Sequence, residues 1–264
     1  MERPPILILG KLPPPYIGPA VATKIILESE LNERFTLHHF DTRINASVAD
    51  MGSFRFSKLG TIRKLYTAFR QKLKQCRPKV VIVPIAQTYA GFLKDAPFIH
   101  MAASSGAKVL IHLRGSEFRD MYTGLGALRQ MGIRNSLRKV HGTIVLGDNL
   151  RYIFQDFFPD DRIFVVPNGG DFVFPERKNH TLRVTYLANC LPGKGLKELL
   201  QALDLLATES GLPLFEFRAY GSWDNPTYRA DCEQLASRPH MAHCHFMGPV
   251  SGDAKWQALA DSDI

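Results

Sequence analysis

The sequence contains no apolar run near the roughly eighteen residues that would read as a membrane-spanning helix, and stretches such as Val80–Ala86 (VVIVPIA) are strand-sized. No secretion signal is expected either. The start, MERPPILILGKLPPPY, places Glu2 beside Arg3 and turns polar after a short apolar stretch, as a buried first strand does. Cysteine is scarce, and Cys76, Cys190, Cys232 and Cys244 lack a disulfide framework, so a reduced, cytoplasmic setting is expected. Neither G-x-G-x-x-G nor G-x-x-x-x-G-K-[ST] occurs, which leaves a dinucleotide site or a Walker ATPase unsupported. Cys232, His240, His243, Cys244 and His245 do not complete the Cys-x₂-Cys and His-x₃₋₅-His pairs of structural zinc, so no metal is expected. Acidic residues are absent from the whole interval between Asp50 and Asp95, although ten Lys and Arg fall within it.

What is present belongs to a globular protein: 264 residues, 45% hydrophobic, 22% charged, with a net charge of +8. Such a charge favours anionic partners. Within the acid-free interval, Leu59, Ile62, Tyr66, Phe69 and Leu73 recur at steps of three and four, predicting a helix over Lys58–Gln75 with one apolar face. Its aromatics lie on that face instead of interleaving with the bases, so no nucleic-acid partner is expected. The basic residues from Lys58 to Lys74 instead suggest peripheral docking on the inner face of an anionic membrane, against the plainer reading of a solvated helix face.

Strand-sized runs alternate with helix-sized segments, the pattern of a parallel sheet wrapped by helices. Six strands are expected at Ile6–Gly10, Thr36–Phe40, Val80–Ala86, Lys108–Leu113, Gly142–Leu146 and Ile163–Val166. Helices are expected near Pro19–Leu31, Lys58–Gln75, Phe92–Ser105, Ala127–Lys139 and Asn149–Phe157. A turn-rich stretch beginning at Asn168 divides a domain over 1–170 from a second over 171–264. The second offers strands at Arg183–Leu187, Leu214–Tyr220 and His243–Met247, which is few for a doubly wound domain. The expected fold is therefore α/β, two Rossmann-like doubly wound domains facing a cleft, the second incomplete.

Four segments carry chemistry. The first strand leads through Lys11-Leu-Pro-Pro-Pro-Tyr-Ile-Gly18-Pro19 into a helix, where Gly18 lets backbone approach a ligand, although an ordinary β-α turn reads the same way. Ile111-His112-Leu113-Arg114-Gly115-Ser116-Glu117 ends a strand in polar residues, at the edge where such sheets keep their sites. His112 there reads as an acid/base group or as a satisfied interior histidine, and Arg114 as an anion clamp. Val165-Val166-Pro167-Asn168-Gly169-Gly170-Asp171 reads best as a structural hinge. Finally, Tyr186-Leu-Ala-Asn189-Cys-Leu-Pro192-Gly193-Lys194-Gly195 runs from a strand to a helix start, which would place Lys194 beside helix N-terminal amides; a solvated loop lysine is the plainer alternative.

Together, in order, these segments resemble the retaining GT-B glycosyltransferases of glycosyltransferase family 4 (glycosyl transferases group 1). Val166–Asp171 is similar to the family's VPNGVD turn, and Tyr186–Gly195 to its FVGRL-x-P-x-KG segment. Phe246-Met-Gly248-Pro-Val250 and Ala260-Asp-Ser-Asp-Ile264 resemble its FxGxV…YxxADI. The resemblance implies transfer of a sugar from a nucleoside-diphosphate sugar to a sugar or lipid-linked acceptor hydroxyl, with retained configuration and neither cofactor nor metal. Lys194 then matches the lysine that holds the donor diphosphate, and Asn189 stands where arginine is most common. Gly18 matches the first-loop glycine that approaches the donor, Gly248 and Val250 the backbone facing the nucleobase, and His112 the histidine near the transferred sugar. Arg114 and Glu117 fall on the acceptor side. The family's E-x₇-E element is not in the sequence, so the resemblance implies a chain truncated before it, without turnover of its own. A non-catalytic or degenerate nucleotide-sugar-binding fragment and a nucleotide-sugar epimerase on the same fold are the alternatives.

Overall fold

The computed structural model describes residues 3–14, 18–43, 56–169, 174–178, 181–208 and 215–264, with the side chains of 56–59 outside that description. The chain divides into two compact units, Met1–Gly170 and Asp171–Ile264.

In the first unit β1 (Pro5–Gly10), β2 (Thr36–Asp41), β3 (Val80–Ile85), β4 (Lys108–Leu113), β5 (Gly142–Val145) and β6 (Ile163–Val165) form one parallel sheet. Its order is β2-β1-β3-β4-β5-β6, a doubly wound sheet. Side chains alternate across a strand, so Leu7, Val81 and Val109 share one face by register. That face carries the main core, which joins them to Phe69, Phe98 and Phe118. The Phe69 and Phe98 rings meet edge to face at 5.0 Å. These aromatics come from α3 (Phe56–Cys76), α4 (Tyr89–Ser104) and α5 (Phe118–Thr123), with α6 (Ala127–Leu137) following. Two helices precede them, α1 (Gly18–Glu28) and the single turn α2 (Leu31–Arg34), and α1 buries Ala20 and Thr23.

The apolar face of α3 is only partly covered: Phe69 and Leu73 are buried, Ile62 and Tyr66 half-buried. Of its cations, Arg63, Lys64, Arg70 and Lys74 are exposed and Lys72 half-buried. Helix α4 starts three residues before its expected first residue because Thr88 caps it, the hydroxyl accepting the Gly91 N–H at 3.2 Å. The helix expected at Asn149–Phe157 is instead a 3₁₀ turn at Asp148–Ile153 followed by further turns. The Arg151 guanidinium causes the difference, donating to the carbonyls of Asp160 (2.9 Å) and Ile163 (2.8 Å) and so folding the segment back on the next strand.

The second unit has β7 (Arg183–Leu187), α7 (Leu196–Ala207), β8 (Glu216–Tyr220), α8 (Pro226–Ala236), β9 (Cys244–Gly248) and α9 (Gly252–Ala260). Its described strands are parallel in the order β7-β8-β9. The backbone of 263–264 bonds to β7, with the Asp263 N–H on Arg183 O at 2.9 Å and the Thr185 N–H on Ile264 O at 2.8 Å. The core joins Leu196, Leu200 and Leu203 of α7 to Phe217 of β8 and Cys232 of α8. Beneath it Arg183, 5% exposed, donates twice to Glu216, at 2.8 and 3.0 Å.

Candidate functional site

In a doubly wound sheet the strand order reverses at one point, and the loops leaving the carboxyl ends of the two strands there diverge and open a crevice. Here that point lies between β1 and β3, and a cavity of about 210 Å³ occupies it, lined by Gly10, Lys11, Thr23, Lys94, Asp95 and Arg114 among others. This is below the roughly 300–1,000 Å³ of a drug-sized ligand pocket, so it suits a small polar group and not a whole nucleotide.

Gly10 permits the closest approach. A Cβ there would lie 2.7 Å from Thr23 Oγ1, so α1 sits against the end of β1 only because residue 10 has no side chain. The Thr23 hydroxyl donates to Pro19 O at 2.9 Å and accepts from Arg114 at 3.0 Å. Arg114 also donates to Pro19 O, tying β4 to the first turn of α1. Burial lowers its pKa, yet a guanidinium stays charged, and its Nε has no partner. Gly18 opens α1 with open space where a Cβ would be; residues 15–17 before it lie outside the described residues. Glu117 is exposed beyond β4, with its N–H on Gln87 Oε1 at 2.7 Å.

His112 does not line this cavity. It lies between Pro84 and Ile144 in the sheet, 4% exposed, and neither ring nitrogen has a hydrogen-bond partner. Burial, then the Arg114 charge, pushes its pKa down to about 4, so the ring is neutral at pH 7.

Two contributors to this edge lie outside the residues that the sequence motifs single out. Asp95, 6% exposed on α4, accepts the Ala86 N–H at 2.9 Å and pairs with Lys94 at 2.9 Å. Burial raises its pKa despite Lys94. Its sequence signal is an acid on the core face of a helix, in step with Phe92, Phe98 and Ile99. The other is Arg43, which donates to Asp41 at 2.7 Å and to Pro14 O at 3.0 Å, holding the loop that follows β1. No local pattern announces it.

In the second unit three loops meet at the carboxyl edge of the sheet. Cys190 N–H bonds Ser222 O at 2.9 Å, Gly221 N–H bonds Gly248 O at 3.0 Å, and Ser222 Oγ donates to Asn189 Oδ1 at 3.1 Å. Asn189 and Gly248, far apart in sequence, are thereby joined through Gly221–Ser222. Lys194 ends a 3₁₀ turn, Pro192–Lys194, with its side chain exposed. Gly195 follows at φ +77°, a left-handed conformation that lets α7 begin at once, and as the N-cap residue it has no side chain to offer the helix amides. Lys197 N–H is engaged by the Tyr228 hydroxyl at 3.0 Å. Gly248 is also left-handed, at φ +75°, and Val250 is half-buried. An exposed lysine beside a helix start whose N-cap is a glycine is a place where an anion gains both charge and hydrogen bonds.

The thiols are poor nucleophiles: burial pushes Cys190 and Cys244 up to about 11. His240 pairs with Asp204 at 2.7 Å and the His243 ring packs on Phe215, and among the described residues no three His, Cys, Asp or Glu group as metal ligands. In the hinge motif Gly170 and Asp171 lie outside the described residues. No described helix is long and apolar enough to cross a membrane.

No protein-family model matches the sequence, and no curated protein matches it. Solved structures do share its fold. The lipopolysaccharide outer core galactosyltransferase WaaB, in its apo form, is similar over 97% of this chain and 70% of its own, with 16% identity and a TM-score of 0.57. The UDP-GlcNAc 2-epimerase from Methanocaldococcus jannaschii is similar over 96% of this chain and 75% of its own, with 10% identity and a TM-score of 0.55. A point mutant of S. aureus TarM, in complex with Fondaparinux, alpha-GlcNAc-glycerol and UDP, aligns over 75% of this chain at 16% identity and a TM-score of 0.53. The present chain spans 39% of that protein's length. At these identities the likeness establishes the fold: α/β, built of Rossmann-like units.

Proposed function

We propose that the chain is the substrate-binding part of a glycosyltransferase that moves a sugar from a nucleoside-diphosphate sugar to an acceptor hydroxyl with retained configuration. The observation that supports this most is Lys194, exposed and, among the described residues, without a carboxylate partner, immediately before the left-handed Gly195, which as N-cap leaves the start of α7 without a side-chain cap of its own. A diphosphate set there meets the ammonium and the helix amides together. In the reaction the C1–O bond to the diphosphate breaks and a bond from the acceptor oxygen to C1 forms, while the acceptor proton passes to the departing phosphate. Charge builds on the diphosphate, where Lys194 and the amides neutralise it without a metal ion. Asn189, turned toward Ser222, adds a hydrogen bond in place of a second cation. Gly248 and Val250 offer backbone to the nucleobase. On the first unit Gly18 serves the donor, Arg114 and Glu117 serve the acceptor, and His112, neutral and buried, shapes the edge near the transferred sugar. The exposed cations of α3 suit peripheral docking on an anionic membrane that carries a lipid-linked acceptor, at the cytoplasmic face.

The decisive measurement is titration of the chain with uridine, guanosine and adenosine diphosphates. Lys194→Ala should weaken the diphosphate that binds by at least about tenfold, the loss of one charge-assisted hydrogen bond of roughly 1.5–3 kcal/mol. Equal affinity in a folded variant overturns the role of Lys194. A second reading, a nucleotide-sugar 2-epimerase, draws support from the comparable fold likeness to the archaeal epimerase. Labelled nucleotide sugar incubated without acceptor separates the two, since only an epimerase returns an intact, epimerised donor.

A further inference from the structure

At the opposite, amino edge of the first sheet a cavity of about 960 Å³ opens between the ends of α3 and α4. Arg70 and Lys74 of α3, Arg77 and Lys79 of the following connection, and Ser104 and Ser105 at the end of α4 line it. All six are exposed, and no carboxylate lines the cavity. Among the described residues none of the four cations is ion-paired, whereas Arg119, Arg151, Arg183 and Arg238 elsewhere each have an acid. His100, also at the rim, is engaged through Nε2 with Ser136 Oγ at 3.0 Å.

Cations near helix C-termini offset the helix dipole, and Lys74, in the last turn of α3, does that. That explanation does not extend to Arg77 and Lys79, which lie beyond the helix. Arg77 carries the only positive φ of a non-glycine residue among those described, +40°, while its N–H closes the helix on Leu73 O at 3.0 Å. Helices ordinarily put glycine or asparagine at such a position, because a Cβ strains it. Here the strained position holds a guanidinium at the cavity. Four like charges gathered without an acid repel one another, and an anion relieves that repulsion. The lining adds the Ser104 hydroxyl to those charges, while the Ser105 hydroxyl donates to Ala102 O at 2.7 Å, and it has no Phe, Tyr or Trp ring on which a base could stack.

We propose that this basin binds the phosphate group of an anionic ligand, at a site separate from the crevice between β1 and β3. The full chain is tested without any nucleotide sugar, so the result stands apart from the transferase reading. One arm titrates sodium pyrophosphate. The other floats the chain with phosphatidylglycerol–phosphatidylcholine vesicles and with phosphatidylcholine alone. The double variant Arg77→Gln/Lys79→Gln should weaken the arm that binds by about thirtyfold, at about 1 kcal/mol per cation. Arg162→Gln, exposed beside β6 and outside both the basin and α3, should weaken it less than about fivefold. Binding of pyrophosphate alone assigns a soluble phosphoanion, and binding of anionic vesicles alone assigns a lipid headgroup. The proposal fails if neither arm binds at low salt, or if the double variant binds as wild type does. It also fails if Arg162→Gln loses as much as the double variant, or if a single-stranded oligonucleotide binds more tightly than either probe.

Discussion

His112 sits in the first sheet with both ring nitrogens unpartnered and its pKa pushed down to about 4 by burial and Arg114. A base whose folded pKa lies below its unfolded 6.5 contributes stability that is full above pH 6.5 and lost as pH falls toward 4. Between pH 7 and pH 4.5 the first unit should lose about 2 kcal/mol through this group alone. Urea unfolding of wild type and His112→Leu at both pH values, followed by far-ultraviolet circular dichroism, measures it. Wild type should lose that amount relative to His112→Leu on acidification, and a difference independent of pH would place the ring in contact with water. The sequence marks His112 as a polar residue at a strand end, and that much is visible from local pattern. Its lack of partners depends on Pro84 and Ile144 from two other strands, and no local pattern carries that. The same holds for Arg114 and Thr23, whose hydrogen bond spans 91 positions.

At the scale of elements, the loops of the second sheet are held by backbone contacts as close as those of a strand pair. Ala188 N–H bonds Tyr220 O at 3.1 Å, and a Cβ at Gly221 would stand 2.0 Å from Ala188 O. Backbone cannot yield as a flexible side chain can, so Gly221→Ala should cost about 1–3 kcal/mol, the range of overpacked sites. Gly195→Ala meets no atom but must take φ +77°, and should cost about 1–2 kcal/mol. Gly193→Ala is the control, with open space and no positive φ, and should stay within about 0.5 kcal/mol. Both tryptophans, Trp223 and Trp256, lie in the second unit, so tryptophan fluorescence in urea reads all three variants there. Equal losses would mean the loops are not locked. Elements of this length are where sequence pattern succeeds or fails. The strands of the first unit are legible because Val80–Ile85 is apolar on both faces and Lys108–Leu113 keeps Val109, Ile111 and Leu113 on one. Leu150, Ile153, Phe154 and Phe157 have helical spacing yet form 3₁₀ and irregular turns, since apolar period alone does not register the pull of Arg151 on Asp160 and Ile163. Helix α5 escapes notice because only Phe118 and Tyr122 of its six residues are buried, too few to show a period.

Across the whole molecule the two units differ in what holds them. The first buries a continuous apolar layer against six strands, with T-shaped contacts among Phe40, Phe69 and Phe98. The second has a smaller core over three described strands and depends more on charge. Arg183 reaches Glu216 at 2.8 Å, Arg218 reaches the same carboxylate at 2.7 Å, and Arg177 holds Asp263 with contacts of 2.7 and 2.8 Å. Burial would raise the Glu216 pKa, but hydrogen bonds from Arg218 and Arg183 outweigh it and lower it. Asp263 is lowered by Arg177 and by the Arg183 N–H. Carboxylates depressed in the folded state give stability that is present above their unfolded pKa values, 4.5 and 3.8, and lost as pH falls below them. The parallel α/β character of both units is legible from alternating runs, but this unequal dependence on charge is not, because Glu216 and Arg183 become neighbours only through the pairing of β7 with β8. Unfolding should therefore occur in two steps. At pH 7 the tryptophan fluorescence transition should precede loss of hydrogen-exchange protection in β3 and β4, with β7 and β9 exchanging first. Lowering the pH from 5 to 3.5 should move the fluorescence transition to lower urea, because Glu216 and Asp263 take up protons there and give up their pairs with arginine. Salt should act in the same direction, since exposed ion pairs such as Arg177–Asp263 are screened. A single transition shared by fluorescence and hydrogen exchange at every pH would show the two units folding as one body, and would remove the ion network of Arg183 as the point at which the chain first opens.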